Sequence, residues 1–328
     1  MKQEEPILVA IQCFVYNHEP YLRECLDGFV MQKTNFRFVA IVHDDCSTDG
    51  SAAIIREYEE KYPEIIKPIY ETENQYSKHD GSLTRIVDDA SLKAGAKYIA
   101  VCEGDDYWTD PLKLQKQIDI LENDEQIGFC FTRLKIRNQM TGEMRDDDLR
   151  EDAKWDFESL LLAEPQITCT VVYRQNLYRS YLDVINPGAR KWLMGDTPLW
   201  LYLAAKAKVA YMPEITGVYR VLELSASHTG NLEKRIVFNK SARDIRLFFC
   251  DKYFPDRKDW KTAVEDVFHR WNMYDAMEYL DLKCAVVNWV RIQHKTDKDN
   301  EMINRYARDH SRLYRMMNNA YRRLLRNE

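Results

Sequence analysis

The eight cysteines of this chain form no CxxC pair, and the chain carries no internal repeat and no low-complexity tract. No apolar run approaches the roughly 20 residues that a membrane span needs. Positive charge is not in excess either: the formal net charge is -6 and the sequence pI is about 5.8. Each absence removes a class of protein. Scattered cysteines, several inside apolar runs such as Ile127-Gly-Phe-Cys-Phe131, read as reduced, buried thiols and not as a disulfide framework or a zinc site. The acidic balance argues against a broad grip on nucleic acid. The start, Met1-Lys-Gln-Glu-Glu-Pro6, is polar and no signal-peptide core follows it, because Ile7 to Val15 is short and contains Gln12. The expectation is a soluble, cytoplasmic protein, attached at most to the surface of a membrane.

What is present is ample core material: 328 residues, 45% of them hydrophobic and 12% aromatic. That suits one large domain with an extension. Ile7–Val15 is a near-continuous apolar run and reads as a buried strand of a parallel sheet. Asn17-His-Glu-Pro20 opens a helix whose apolar face is Leu22, Leu26, Phe29 and Val30. Strands over 36–42, 65–70 and 98–102 follow, with helices after Ser51, over 84–94 and from Pro111. Further strands are expected at 127–136, 167–173, 209–212 and 217–220, and a helix at 197–207. The charged stretch 138–154 reads as a mobile loop or hairpin tip. Beyond about residue 230 helical periodicity takes over. The first half therefore alternates strand and helix, the pattern of an open, mostly parallel α/β sheet with helices on both faces, followed by a C-terminal helical extension. In such sheets ligands bind beyond the carboxyl ends of the strands. The polar clusters Tyr16-Asn17, Asp44-Asp45 and Asp105-Asp106 fall at those ends.

Glu103-Gly-Asp-Asp106 ends a buried strand. Adjacent carboxylates repel one another unless a cation relieves them, and an oxygen-rich site suits Mg²⁺ or Mn²⁺. An acidic turn capping the next helix is the alternative. In Asp44-Asp45, one acid suits the imide N–H of a uracil ring, with Phe14 or Tyr16 packing on the base; a cap for the helix at Ser51 would explain the pair as well. Asp196, at a helix start, is favoured by the helix dipole and well placed to take a proton from a hydroxyl, and capping would account for it equally. Arg220 offers a partner for phosphate and His228 a ligand for a metal.

Together these pieces resemble the bacterial-type family 2 glycosyltransferases of GT-A fold. Phe14-Val-Tyr-Asn-His-Glu-Pro-Tyr-Leu22 is similar to that family's "TYNxxxYL" signature, and Val42-His-Asp-Asp-Cys-Ser-Thr-Asp-Gly50 to its "VDDgStDgT" turn. Tyr98 to Leu114 resembles the metal-binding "YIxxLDxDDxxxPxxL" stretch, Gly195-Asp196 the start of the catalytic-base helix, and Tyr219-Arg220 through Ser225 the closing "YRxHxxS". The five occur in the family's order over residues 6–228.

The resemblance implies a catalytic domain over 1–228 and a helical extension over 229–328. It implies transfer of a sugar from a nucleotide-diphosphate sugar, with UDP the commonest carrier, to a hydroxyl of a glycan or lipid-linked acceptor. That is an inverting displacement of the kind used in polysaccharide biosynthesis. Phe14, Tyr16, Asn17, Asp45, Arg85, Asp105 and Arg220 match the nucleotide-binding set. Asp106 and Asp105 match the metal site for Mn²⁺ or Mg²⁺, with His228 a further candidate ligand outside the pattern, and Asp196 matches the general base.

The chain departs from the pattern at four places. Glu103 stands for the usual first acid, and Phe14 for a small or hydroxylic residue. Arg85, followed by Asp88 and Asp89, is the nearest match to an expected arginine–asparagine pair, and Leu222 replaces a common histidine. Two rival readings are a sugar nucleotidyltransferase and a nucleotide-sugar-binding protein without turnover. The first usually wants a glycine-rich, basic first loop, which this chain lacks. Intact Asp45, Asp105, Asp106 and Asp196 argue against the second. In the extension, Arg312, Arg315, Arg322, Arg323 and Arg326 offer contact with an anionic membrane, and aromatics on the late helices suit a homodimer.

Overall fold

The structure, a computed structural model, describes residues 5–163, 168–222 and 231–309. His228 and the basic segment from His310 onward lie outside them. The chain divides into two compact units, one of residues up to 191 with 199–223, the other of 192–198 with residues from 224 onward.

The first unit opens with β1 (Ile7–Val15), α1 (Leu22–Val30), β2 (Arg37–Asp44), α2 (Ser51–Lys61) and β3 (Ile66–Tyr70). Then come α3 (Ser82–Lys93), β4 (Tyr98–Val101), β5 (Tyr107–Trp108), α4 (Lys113–Asn123), β6 (Ile127–Asn138) and β7 (Met144–Asp146). It continues through α5 (Phe157–Leu162), β8 (Val172–Arg174), α6 (Gln175–Ile185), α7 (Asp196–Lys206) and β9 (Lys208–Val221); the first residues of α7 group with the second unit. The strands form one sheet in the order β3-β2-β1-β4-β8-β6-β9-β5, with β7 paired to β6. β3, β2, β1 and β4 are parallel; β8 lies antiparallel to both β4 and β6, and β9 is parallel to β6. The sheet is therefore mostly parallel with antiparallel insertions.

The near-continuous apolar run of β1 has its cause in this arrangement, because successive side chains of a strand face opposite sides. Val9, Ile11, Cys13 and Val15 pack into one core with Leu22, Cys25, Leu26 and Phe29 of α1, Ile54, Ile55 and Tyr58 of α2, and Leu114, Ile118 and Leu121 of α4. Gln12 faces the other way, and its amide donates to Asp88 (3.0 Å) and Ser91 (3.0 Å) on α3. Tyr178 of α6 donates its hydroxyl to the same Asp88, at 2.7 Å. Helices thus cover both faces.

Two local expectations change, and a third is met in one of its two forms. The two short strands expected at 209–212 and 217–220 are one strand, β9, whose pairing with β6 slips between Met212 and Ile215. Pro213, which has no N–H to give, sits in that bulge and interrupts the pattern in the sequence. The strand expected at 167–173 begins only at Val172, after a 3-10 turn over Thr168–Thr170. The charged stretch after 138 folds back as a hairpin, with Ile136 opposite Arg145. Two helices, α5 and α6, carried no expectation. α5 starts on a reciprocal cap in which Asp156 accepts from the Ser159 amide and Ser159 Oγ accepts from the Asp156 amide.

The second unit contains α8 (Leu232–Tyr253), α9 (Lys258–Glu278), α10 (Leu282–Arg291) and α11 (Asp297–Asp309). Met273, Ala276, Met277, Ala285, Ile292 and Ile303 form its core. Charged groups are built into the packing: Asp275 accepts from Arg235 (2.6 Å) and Asn239 (2.7 Å), and Asp299 from Arg270 (2.8 Å). Among the described residues, no helix is long and apolar enough to cross a membrane.

Burial raises the Asp88 carboxyl from 3.8 to about 6, against the lowering effect of Tyr178 and Gln12. The folded chain then binds a proton that the unfolded chain releases, so this group's contribution to stability is full below pH 4 and is lost as pH rises through about 6. Asp88→Asn is expected to remove that slope, worth on the order of 3 kcal/mol by the two-unit shift. Urea unfolding of both proteins between pH 4 and pH 7 reads the difference.

Candidate active site

Because β2, β1 and β4 are adjacent and parallel, their carboxyl ends open on the same edge of the sheet. Backbone hydrogen bonds then lace the following loops together. The Asp45 amide donates to the Val15 carbonyl (2.9 Å), the Cys102 amide to Gln12 (3.1 Å) and the Gly104 amide to Phe14 (3.0 Å). Phe14, Tyr16, Asn17, Asp45, Asp105 and Asp106 are brought together by this lacing.

Asn17 takes a left-handed backbone (φ 56°), which asparagine tolerates better than most residues. Its side-chain oxygen accepts from the Thr48 amide at 2.8 Å, and its own amide donates to Ser47 Oγ at 3.0 Å, which ties the first loop to the second. Tyr16 is left 47% exposed, while Phe14 is half-buried and tilted on His43. Asp45 is buried. One of its oxygens accepts from the Gln75 amide (2.6 Å) and the other from the Tyr76 amide (3.0 Å). It thereby fastens the polar stretch between β3 and α3 to the sheet edge, and it does not cap α2, whose first residue Ser51 donates its amide to Asp49. Arg85 lies on α3 with its side chain 64% exposed, donating to the Asp80 carbonyl at 2.7 Å.

Carboxylate oxygens of Glu103, Asp105 and Asp106 lie within 4.8 Å of one another. Glu103 is exposed, Asp105 half-buried and Asp106 buried. Burial pushes the Asp106 carboxyl well above its ordinary range, and the charges of Asp105 and Glu103 push it further. A cation at that point would reverse both effects. The donor set is oxygen only, which fits a hard divalent ion such as Mg²⁺ or Mn²⁺.

Arg220, on β9, organises the motif from behind. Its amide donates to Asp106 Oδ1 at 2.8 Å. Its guanidinium donates to the Asp105 carbonyl and to Glu24 of α1, and stacks over the Tyr107 ring at 4.4 Å. Glu24 and Tyr107 were not singled out in the sequence. A lone acid on the polar side of a helix carries no signal of a partner that comes from β9.

Gly104 is required by space. A Cβ there would stand 2.7 Å from His18 Nδ1 and 3.0 Å from Val15 Cγ2. His18 Nδ1 is buried without a partner, and burial lowers the imidazole pKa against the pull of Asp105 and Asp49. Asp196 is exposed at the first position of α7, accepts from the Thr197 amide at 2.7 Å, and groups with the helical unit.

Residues 13–183, more than half of the chain, match the model of the family described as "Glycosyl transferase family 2". The chain belongs to that family. Asp196, Arg220 and His228 lie beyond the matched span. An uncharacterised protein of Mycobacterium tuberculosis is 35% identical to this family 2 chain over 69% of the chain and 62% of the relative. The chain thus spans less than two thirds of that relative's length. The putative teichuronic acid biosynthesis glycosyltransferase TuaG of Bacillus subtilis is 27% identical over 67% of the chain and 81% of the relative. Among solved structures, S. aureus TarS 1–349 in complex with UDP-GlcNAc matches with a TM-score of 0.59 at 13% identity, covering 97% of this chain and 92% of that one. The mannosyltransferase PcManGT of Pyrobaculum calidifontis, in complex with GDP-Man and Mn²⁺, matches with a TM-score of 0.57 at 17% identity, covering 93% and 80%. At these identities the likeness is one of fold: this family 2 chain has a GT-A-like sheet.

Gly104→Ala is expected to lower stability by about 1–3 kcal/mol through overpacking. Because His18 is the nearest side chain met, adding His18→Ala should restore part of the loss. Urea unfolding of the two single variants and the double variant measures the coupling; strict additivity would show that the ring does not set the fit.

Proposed function

We propose that this chain is a glycosyltransferase that moves a sugar from a nucleotide-diphosphate sugar to a hydroxyl of a glycan or lipid-linked acceptor, with inversion. The observation that carries this reading is the oxygen-only cluster of Glu103, Asp105 and Asp106 at the carboxyl edge of β1, β2 and β4. Membership of family 2 supports it, as do the nucleotide sugars named with TarS and PcManGT.

In this reading Tyr16 and Phe14 pack on the base, Asn17 and Asp45 hold the loops around it, and Asp105 faces the ribose. Asp106, with Asp105 and Glu103, would hold Mn²⁺ or Mg²⁺. A divalent cation bound there offsets the charge that builds on the departing diphosphate. Arg85 and Arg220 are the proposed phosphate contacts and differ in readiness, since Arg85 is largely exposed and Arg220 is already engaged by Glu24. Asp196 is the proposed general base. It takes the proton of the acceptor hydroxyl, that oxygen bonds to the anomeric carbon, and the bond from that carbon to the diphosphate oxygen breaks. Polysaccharide biosynthesis is the setting that the name of TuaG suggests.

Calorimetry with UDP and with GDP, each with Mn²⁺ and with EDTA, tests the donor site. Binding of one nucleotide that needs the metal and vanishes in Asp106→Ala is the expected result. Nucleotide binding that ignores both the metal and Asp106 would sink the metal assignment. Asp196→Asn should lower kcat by about 10²–10⁴-fold, the range of a general base, with nucleotide affinity unchanged. A variant that keeps its rate would remove Asp196 from the chemistry.

A further inference from the structure

Two hydrogen bonds run from Arg220 to the acidic turn, and neither brings its charge to a carboxylate. One is the backbone amide to Asp106 Oδ1 (2.8 Å); the other runs from the guanidinium to the Asp105 carbonyl. The charge itself is matched by Glu24, on the first turn of α1. Among the described residues, Glu24 is the one carboxylate in ion-pair contact with Arg220. The partners are unequal, since the Arg220 side chain is 1% exposed and that of Glu24 51%. Tyr21 and Tyr107 pack against the guanidinium, with ring centroids at 5.2 and 4.4 Å. A cation enclosed in this way needs a counter-ion, and one that loses its partner must find another. The guanidinium already touches the backbone of Asp105, so the acidic turn itself offers the substitutes.

An arginine turned onto those acids would do what a divalent cation does: it would offset their repulsion and occupy the oxygens that a cation needs. We propose that Glu24 is a positioning residue of the cluster: by holding the Arg220 guanidinium, it keeps the carboxylates of Asp105 and Asp106 open to a divalent cation. The inference rests on the metal reading above. Arg137, opposite Arg220 on the neighbouring strand β6, comes within 4.0 Å of the other Glu24 oxygen. Its side chain is 32% exposed, so water takes up its charge when Glu24 is lost, and it is not driven onto the acids. The two arginines therefore separate the effect of a contact from the effect of net charge.

The test is titration of the metal-free full chain with Mn²⁺ alone, free Mn²⁺ being read by its electron paramagnetic resonance signal. Without nucleotide, no phosphate contact enters the reading. Glu24→Gln keeps an oxygen for the guanidinium and loses only the charge, and it is expected to weaken Mn²⁺ binding about tenfold or more. Glu24→Asp, which keeps the charge, should recover most of that loss. Adding Arg220→Met to Glu24→Gln removes the competing cation, leaves the amide to Asp106, and should restore most of the affinity. Adding Arg137→Met instead makes the same change of net charge and should restore little. Urea unfolding of each variant reads folding separately, and the variant that joins Glu24→Gln to Arg220→Met has no unpaired buried charge to unfold it. Wild-type Mn²⁺ affinity in Glu24→Gln, no recovery with Arg220→Met, or equal recovery with Arg137→Met would overturn the proposal. Asp106→Ala separates the two readings. Mn²⁺ bound by the wild type and lost in Asp106→Ala, with Glu24→Gln unchanged, defeats the role of Glu24 and leaves the metal site standing. No binding by the wild type, or binding that Asp106→Ala leaves intact, defeats the metal assignment and this inference with it.

Discussion

Like charges crowded at the end of a buried strand are the constraint to which the sheet unit answers. Asp106 cannot be both buried and ionised beside Asp105 and Glu103 without help, because each neighbour adds to the cost of burial. Part of the answer is built in. The Arg220 amide bonds to the Asp106 carboxylate, and the Arg220 guanidinium holds the Asp105 carbonyl with Glu24 as its own counter-charge. The front of the cluster is where a bound cation would offset the remaining charge. A site satisfied entirely by protein would have no use for a cation; one that satisfies only its rear face keeps an open front.

Most of the sheet was legible because its parallel strands are buried on both faces and read as apolar runs, as in Val9–Val15 and Tyr98–Val101. The site edge was legible for a related reason: polar clusters that end such runs cannot stay in the core. What escaped notice depends on partners distant in sequence. Nothing around Glu24 announces Arg220, and nothing around Asp45 announces the amides of Gln75 and Tyr76. β9 was divided into two because a bulge holding Pro213 looks like a break when the pairing with β6 is not in view. α5 was missed because its cap pairs aspartate with serine, a weaker sign than serine or threonine followed by glutamate.

The two loops at the carboxyl edge of β1 and β2 also show one residue type with two possible uses. Asp45 reads from sequence as a group for a base, and in the fold its oxygens already accept two backbone amides. A carboxylate has about four lone-pair sites, so loop anchoring and ligand recognition are compatible. The stretch that covers the edge is then held by the same atoms that would meet a ligand.

Arg220 reaches Asp106 across 114 positions of sequence, and Glu24 across 196. The chain is made from its amino end, at about 5–20 residues per second. The acidic turn therefore leaves the ribosome roughly 6–20 s before the residue whose backbone amide bonds to Asp106. During that interval Asp106 lacks the amide of Arg220, and the Asp105 carbonyl lacks its guanidinium. Closure of β9 against β6 thus completes the hydrogen bonding behind the cluster, and a nascent chain stalled before residue 220 would hold the cluster without it.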